Sequence, residues 1–227
     1  MNSLKMRPHN TNGKLITFCG LDGCGKSTMI RIVSSELKSL GIDFIVTKQP
    51  TDAMRNTEIF RTFMDCPDNS AYEYRSLSLM AAADRIQHAN KVILPALREG
   101  KTVICDRYIY SCLANLRARG YMGDEWIYEI SKNIPKPDLA FFLDLPVDVA
   151  VKRVRQRKEE KDRYIDIPLQ YHLREQYKDI CESNNGILVR SDIDIEKTFS
   201  KIERRLQKTF PEKYDFGGVP EDEKYKI

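Results

Sequence analysis

The sequence predicts an α/β fold in three layers: a mainly parallel, five-stranded sheet flanked by helices on both faces. Two observations carry this. Short runs rich in β-branched and aromatic residues alternate with longer runs whose apolar residues recur every three or four positions. Each strand-like run is separated from the next by a helix-like one, and such crossovers join strands in parallel. No Gly/Ser-rich or Pro-rich run divides the 227 residues, a length that fits one core.

The first strand-like run, Leu15-Ile16-Thr17-Phe18-Cys19, ends at Gly20, and over residues 27–40 the side chains of Ile30, Val33, Leu37 and Leu40 recur at helical spacing. Gly41 stops that helix. A second strand over residues 44–47 ends before Pro50. Residues 72–98 read as one long helical stretch, kinked near Pro95, and Gly100 leads into a third strand over 102–105. A helix is expected over 124–133, a fourth strand over 139–143, and a helix over 147–157 with Val149, Val151 and Val154 turned inward. The helix over 168–182 tolerates Pro168 in its first turn. A fifth strand over 187–189 and a last helix over 195–208 follow. Residues 1–13 read as a loose lead-in, 14–209 as the domain, and 210–227 as a tail without a period.

Composition narrows the function. Apolar residues make up 41% and charged residues 31%, the balance of a soluble globular protein, and a net charge of +4 gives no argument for nucleic acid. No apolar run reaches roughly 18 residues, so no membrane partner is expected. Residues 1–12 lack the apolar centre of a secretory signal. The six cysteines form no Cys-x-x-Cys pair and have no histidine at metal spacing, which points to the reducing cytoplasm.

The stretch Gly20-Leu21-Asp22-Gly23-Cys24-Gly25-Lys26-Ser27 fits Gly-x-x-x-x-Gly-Lys-Ser. Its glycines let the backbone fold tightly around phosphate oxygens and point successive N–H groups inward, where a Cβ would obstruct. Lys26 is placed to reach the β- and γ-phosphates, and the Ser27 hydroxyl to ligate Mg²⁺. The helix that starts here, with Thr28 in its first turn, turns its positive end on the same anion. With a strand before and a helix after, this is the cradle of a P-loop NTPase fold, and the expected donor is Mg²⁺-bound ATP. Cys24 raises a lesser expectation of thiolate character beside Lys26; a small residue that merely fits the loop is the simpler account.

The third strand delivers Asp106 and Arg107 to the same rim, where Asp106 is a candidate for ordering Mg²⁺ and Arg107 for gripping a second phosphate. Arg153, Arg155, Arg157, Lys158, Lys161 and Arg163 form a dense cationic run. Such runs are usually solvated faces. This one follows the fourth strand and its helix, so it reads as a lid over about 155–165 that closes on the nucleotide and brings charge to the transferring phosphoryl group.

With these pieces in order, the chain resembles the thymidylate kinase family over roughly residues 14–206. The P-loop, Ala82-Ala83-Asp84-Arg85-Ile86-Gln87-His88, Asp106-Arg107-Tyr108, and Pro137-Asp138-Leu139 with Leu143-Asp144-Leu145-Pro146 look like four family motifs in the family's order. The resemblance implies phosphoryl transfer from MgATP to a deoxynucleoside 5′-monophosphate, with dTMP the default acceptor, in a homodimer. It implies that Asp22 meets the sugar 3′-hydroxyl and that Arg85 and Arg107 sit near the base and the acceptor phosphate. Lys48, Pro50, Arg55 and Asp106 complete the acceptor set. Because the P-loop carries no arginine, the catalytic cation is expected from Arg155, Arg157 or Arg163, alongside Lys26, Asp22 and Arg107.

Three departures cluster on the acceptor side. Ala81 stands where the family carries a ring that stacks on the base; Ala114-Asn115-Leu116-Arg117 replaces Ala-Tyr-Gln-Gly; and Lys48-Gln49-Pro50 replaces Arg-Glu-Pro, with Arg55 or Arg61 as compensating cations. They leave open a kinase for a different or modified nucleotide, or a P-loop module that binds nucleotide with little turnover.

Overall fold

A computed structural model describes residues 3–214. Five strands form one sheet in the order β2-β3-β1-β4-β5: β1 is Leu15–Cys19, β2 Phe44–Lys48, β3 Thr102–Asp106, β4 Leu139–Asp144 and β5 Ile187–Arg190. Every pairing is parallel. Strand β1 lies at the centre with all its residues buried, as a strand covered on both faces must be, and Phe18 stacks on Phe141 of β4 at 5.2 Å between ring centroids.

The helices are α1 (Lys26–Ser39), α2 (Asp52–Arg55), α3 (Glu58–Asp65), α4 (Tyr74–His88), α5 (Leu94–Arg98), α6 (Ile109–Ala118), α7 (Trp126–Ile130), α8 (Val147–Arg155), α9 (Ile167–Ser183), α10 (Ile195–Thr209) and α11 (Pro211–Tyr214). Helix α1 buries Met29, Ile30, Val33 and Leu37, the stripe that its sequence spacing predicts. In α8 the inward residues are Val147, Ala150 and Val154, whereas Val149 and Val151 are half-buried at the edge of that stripe.

Register places the functional residues. Phe18 lies opposite Asp106, and Lys48 is also paired with Asp106. The carboxyl ends of β2, β3, β1 and β4 therefore bring Lys48, Asp106, Gly20 and Asp144 to one rim, where open α/β sheets bind ligands.

Several expectations are corrected. The stretch 72–98 is not one helix kinked at Pro95: α4 gives way to a wide π-helical turn, Ala89–Ile93, before α5. Pro95 has no N–H to donate to the carbonyl four residues back, and widening the preceding turn accommodates that gap. Helices α2, α3 and α6 occupy segments that sequence periodicity left unassigned. The lead-in is packed rather than loose: Leu4 and Met6 are buried, and Arg7 exchanges backbone bonds with Ile134 and Lys136 at 3.2 and 2.7 Å. Phe210, expected to open the tail, is buried in the core, and α11 follows it; the rest of that tail lies outside the described residues. All six cysteines are free, five of them buried. Among the described residues no helix is long and apolar enough to cross a membrane.

Candidate active site

The loop between β1 and α1 is shaped by its glycines. Gly20 and Gly23 have φ of 135° and 82°, and a Cβ would stand 2.5 Å from the Leu143 carbonyl oxygen at Gly20 and 2.3 Å from that of Ala150 at Gly23. Both positions thus combine a left-handed backbone with no room for a side chain. Gly25 has φ 92° but open space around it, so backbone conformation alone selects glycine there. Lys26 is buried, and its ammonium donates to the carbonyls of Gly20 at 3.2 Å and Leu21 at 2.8 Å. Ser27 is exposed at the start of α1 and Thr28 half-buried beside it, while Leu21 and Cys24 are buried; Cys24 Sγ lies 3.8 Å from Lys26 Nζ.

At the end of β3 the chain leaves the sheet through Arg107, a non-glycine residue at φ 66°. This left-handed turn costs on the order of 1–3 kcal/mol. It is held by the Arg107 N–H, which donates to Phe18 O at 2.8 Å. The turn sends the guanidinium back over β1, where Nη1 donates to Gly20 O and to the Tyr177 hydroxyl, each at 3.1 Å, and Nη2 donates to Asp22 Oδ1 at 2.5 Å. The Tyr177 hydroxyl in turn donates to Ser111 Oγ at 3.0 Å. Burial pushes the Tyr177 hydroxyl up to about 12, so it stays neutral beside the cation.

Asp22 is the meeting point of three cations. Arg163 Nη2, from the cationic run, donates to its Oδ2 at 2.8 Å, opposite the bond from Arg107. Burial alone would raise the Asp22 carboxyl, but the charges of Arg107, Lys26 and Arg163 outweigh it and hold the group well below the usual carboxylate range. The carboxylate is therefore ionised at any working pH.

Beside Asp22 opens a cleft of about 790 Å³, walled by α3, α4, α6, the segment 158–166 and α9. Pro50, Arg55, Arg85, Arg107 and Arg163 line it, as does Arg61, which pairs with Asp65 at 2.6 Å. Arg55 donates from Nε to Pro50 O at 2.8 Å; burial, and then the charge of Arg107, lower its pKa from the ordinary value. Arg85 is buried, donates from Nη1 to Ala81 O at 2.8 Å, and has no partner for Nε. Asp106 ends β3 with a buried Oδ1 that lacks any partner. Below Pro50, buried His88 bridges Thr47 Oγ1 at 2.7 Å and Gln49 Nε2 at 3.0 Å.

Not every candidate reaches the cleft. Lys48, exposed at the end of β2, is turned outward and lies 3.5 Å from Asp52 at the start of α2. Arg155 lines a separate surface groove with Asp148, Lys152 and Gln156, and Arg157 pairs with Glu160 at 3.2 Å. Of the three arginines expected to supply the catalytic cation, Arg155, Arg157 and Arg163, Arg163 alone touches Asp22. Leu116 is fully buried in the core, so of the pair Asn115-Leu116 only Asn115 faces the cleft, its Oδ1 accepting from Arg119 at 2.9 Å.

Sequence reasoning missed Phe60, Ser111, Arg119 and Tyr177, all of which line the cleft. Tyr177 falls on the inward stripe Leu173, Tyr177, Ile180 of α9, so its spacing signals packing and not chemistry. For Arg119 the sequence holds no signal.

Comparison with known proteins gives the same direction. The thymidylate kinase family model matches residues 18–202. A protein named "Probable thymidylate kinase" from Pyrococcus horikoshii is 38% identical over 174 residues, covering 75% of this chain and 83% of that protein. Thymidylate kinases from Desulfotalea psychrophila (38% over 152 residues; 67% and 73%) and Clostridium novyi (32% over 203 residues; 86% and 98%) are also similar.

Proposed function

The chain belongs to the thymidylate kinase family, and from that premise we propose that its cleft transfers the γ-phosphoryl group of ATP to the 5′-phosphate of dTMP. The observation that carries this is the convergence of Lys26, Arg107 and Arg163 on Asp22 where the P-loop meets the cleft. Phosphoryl transfer asks a protein for positioning and charge neutralisation more than for a covalent intermediate, and three cations around one point supply both.

Each residue takes a part that its placement supports. The P-loop backbone and Lys26 hold the donor phosphates. Arg107, fixed by Gly20 O, Tyr177 and Asp22, presents its fork to the acceptor phosphate, and Arg163 stands between donor and acceptor. Asp22 orients both guanidiniums and is the acceptor for a sugar hydroxyl. Arg55 and Arg85 serve the acceptor side. The unpartnered buried oxygen of Asp106 and the exposed hydroxyl of Ser27 fit a hard cation that keeps most of its water. These two residues would hold Mg²⁺, which would supply charge neutralisation at the donor phosphates.

Two copies are proposed to pair through the outward face of α4, where Leu79 and Met80 are exposed, and light scattering on the purified chain tests this. The same reading puts the protein in the reducing cytoplasm, in keeping with its free cysteines.

ADP release coupled to a reporter reaction, run with MgATP across a panel of nucleoside monophosphates, tests the function. Turnover highest with dTMP is expected. ATP binding with no turnover of dTMP, dUMP or their analogues would contradict it.

A further inference from the structure

The cleft is chemically polarised. Two of its cations, Arg107 and Arg163, pair with Asp22, whereas Phe60 and Phe63 of α3 and Leu77 and Ala81 of α4 line it with apolar surface. Phe63, Leu77 and Ala81 join Met54 and Ile59 in a small second core, separate from the main one, with Phe60, Tyr72 and Tyr74 packed against it. A nucleotide is polarised in the same way, with phosphate at one end and a flat base at the other. A base is held by stacking on a ring whose face is accessible.

The rings that line the cleft are not equivalent. Phe63 is buried and meets Tyr74 edge-on at 5.1 Å. Tyr74 carries the Arg119 guanidinium at 4.1 Å from its centroid and lies stacked with Tyr121 at 6.2 Å. Tyr177 is committed through its hydroxyl to Arg107 and Ser111 and through its ring to Phe142. Tyr164 rides on the lid. Phe60 remains: it lines the cleft, is half-buried, and belongs to helix α3.

Its placement is fixed from two sides. The Phe60 backbone N–H donates to Thr57 Oγ1, the N-cap of α3, at 3.4 Å. The Arg55 guanidinium lies over the ring at 5.8 Å, and the same arginine is tied to the Pro50 carbonyl. Ala81, which also lines the cleft, adds no bulk to fill the space that a base needs.

We propose that Phe60 supplies the ring on which the acceptor's base stacks, so that α3 sets base affinity while the Asp22 cluster sets phosphate chemistry. This rests on the acceptor reading given above.

The test is the KM for dTMP at saturating MgATP in the wild type and in Phe60→Leu and Phe60→Trp. Leucine keeps apolar bulk and removes the π face, so KM should rise about 5- to 100-fold, with kcat and the KM for ATP within about threefold of wild type. Tryptophan keeps a face, and its KM should stay within about threefold of wild type. A Phe60→Leu enzyme with wild-type KM for dTMP, or a tryptophan variant as impaired as the leucine one, would overturn the assignment of Phe60 alone. A wild-type chain that does not turn over dTMP would overturn the acceptor reading and this inference with it.

Discussion

Arg163 at the end of the cationic run donates to Asp22 of the P-loop at 2.8 Å, on the carboxylate oxygen opposite the one that Arg107 holds. One acidic side chain thereby joins three parts of the chain that are far apart in sequence. In the proposed reading, an acceptor phosphate entering beside Asp22 would compete with the carboxylate for these two guanidiniums, which would link acceptor binding to the position of the segment that carries Arg163.

Arg163→Ala should lower kcat by about 10²- to 10³-fold, the loss typical of one preorganised donor to a developing charge. Arg163→Lys should recover only part of it, because an ammonium lacks the planar fork. Arg155→Ala should stay within about threefold of wild type, since its side chain faces a groove away from the cleft. Steady-state rates of the three variants at saturating substrates check this ordering.

Gly23→Ala and Gly25→Ala separate steric from conformational demand in the P-loop. Both need a positive φ, but only at Gly23 does a Cβ meet backbone, 2.3 Å from Ala150 O. Gly25→Ala should cost about 1–2 kcal/mol in urea denaturation. Gly23→Ala should cost more and should weaken ATP binding, because α8 or the loop must move. Equal losses would show that the approach to Ala150 does not constrain the loop.

His88 gives a pH dependence with a definite sign. Burial lowers its pKa from the ordinary value of 6.5, and Asp84 only partly offsets this. The unfolded chain therefore binds the proton more readily, so the stability due to neutral His88 is complete above about pH 6.5 and is lost as pH falls toward the lower folded value. Urea midpoints should drop between about pH 7 and 5, and the drop should shrink in His88→Gln, which retains a partner for Thr47. The same slope in both proteins would contradict this.

The sheet was legible because strands covered on both faces read as short β-branched runs between helical periods, and the P-loop because its spacing is demanded by phosphate geometry. Helix α6 was not. Its residues Ile109 to Leu113 are all buried, so no polar stripe remains to reveal a helical period. Helix α2 is too short, at 4 residues, to display one, whereas the 8-residue α3 does bury Ile59 and Phe63 at helical spacing, a signal left unread in the sequence. The cationic run was legible as a run of charge, but which of its arginines reaches Asp22 depends on the 3₁₀ turn Lys158–Glu160, after which Arg163 returns to Asp22 while Arg155 stays outside. The chain also gave no hint that a ring missing at Ala81 has a neighbour in Phe60, since that juxtaposition arises only when α3 packs beside α4.

The central claim is that Lys26 and the cations around Asp22 move a phosphoryl group onto dTMP. The most direct measurement separates dTMP from dTDP by chromatography after incubation with MgATP, for the wild type and for Lys26→Ala, with circular dichroism showing that both are folded. The account predicts dTDP from the wild type and its near-complete loss from the folded variant. Wild-type yields of dTDP from Lys26→Ala would contradict it.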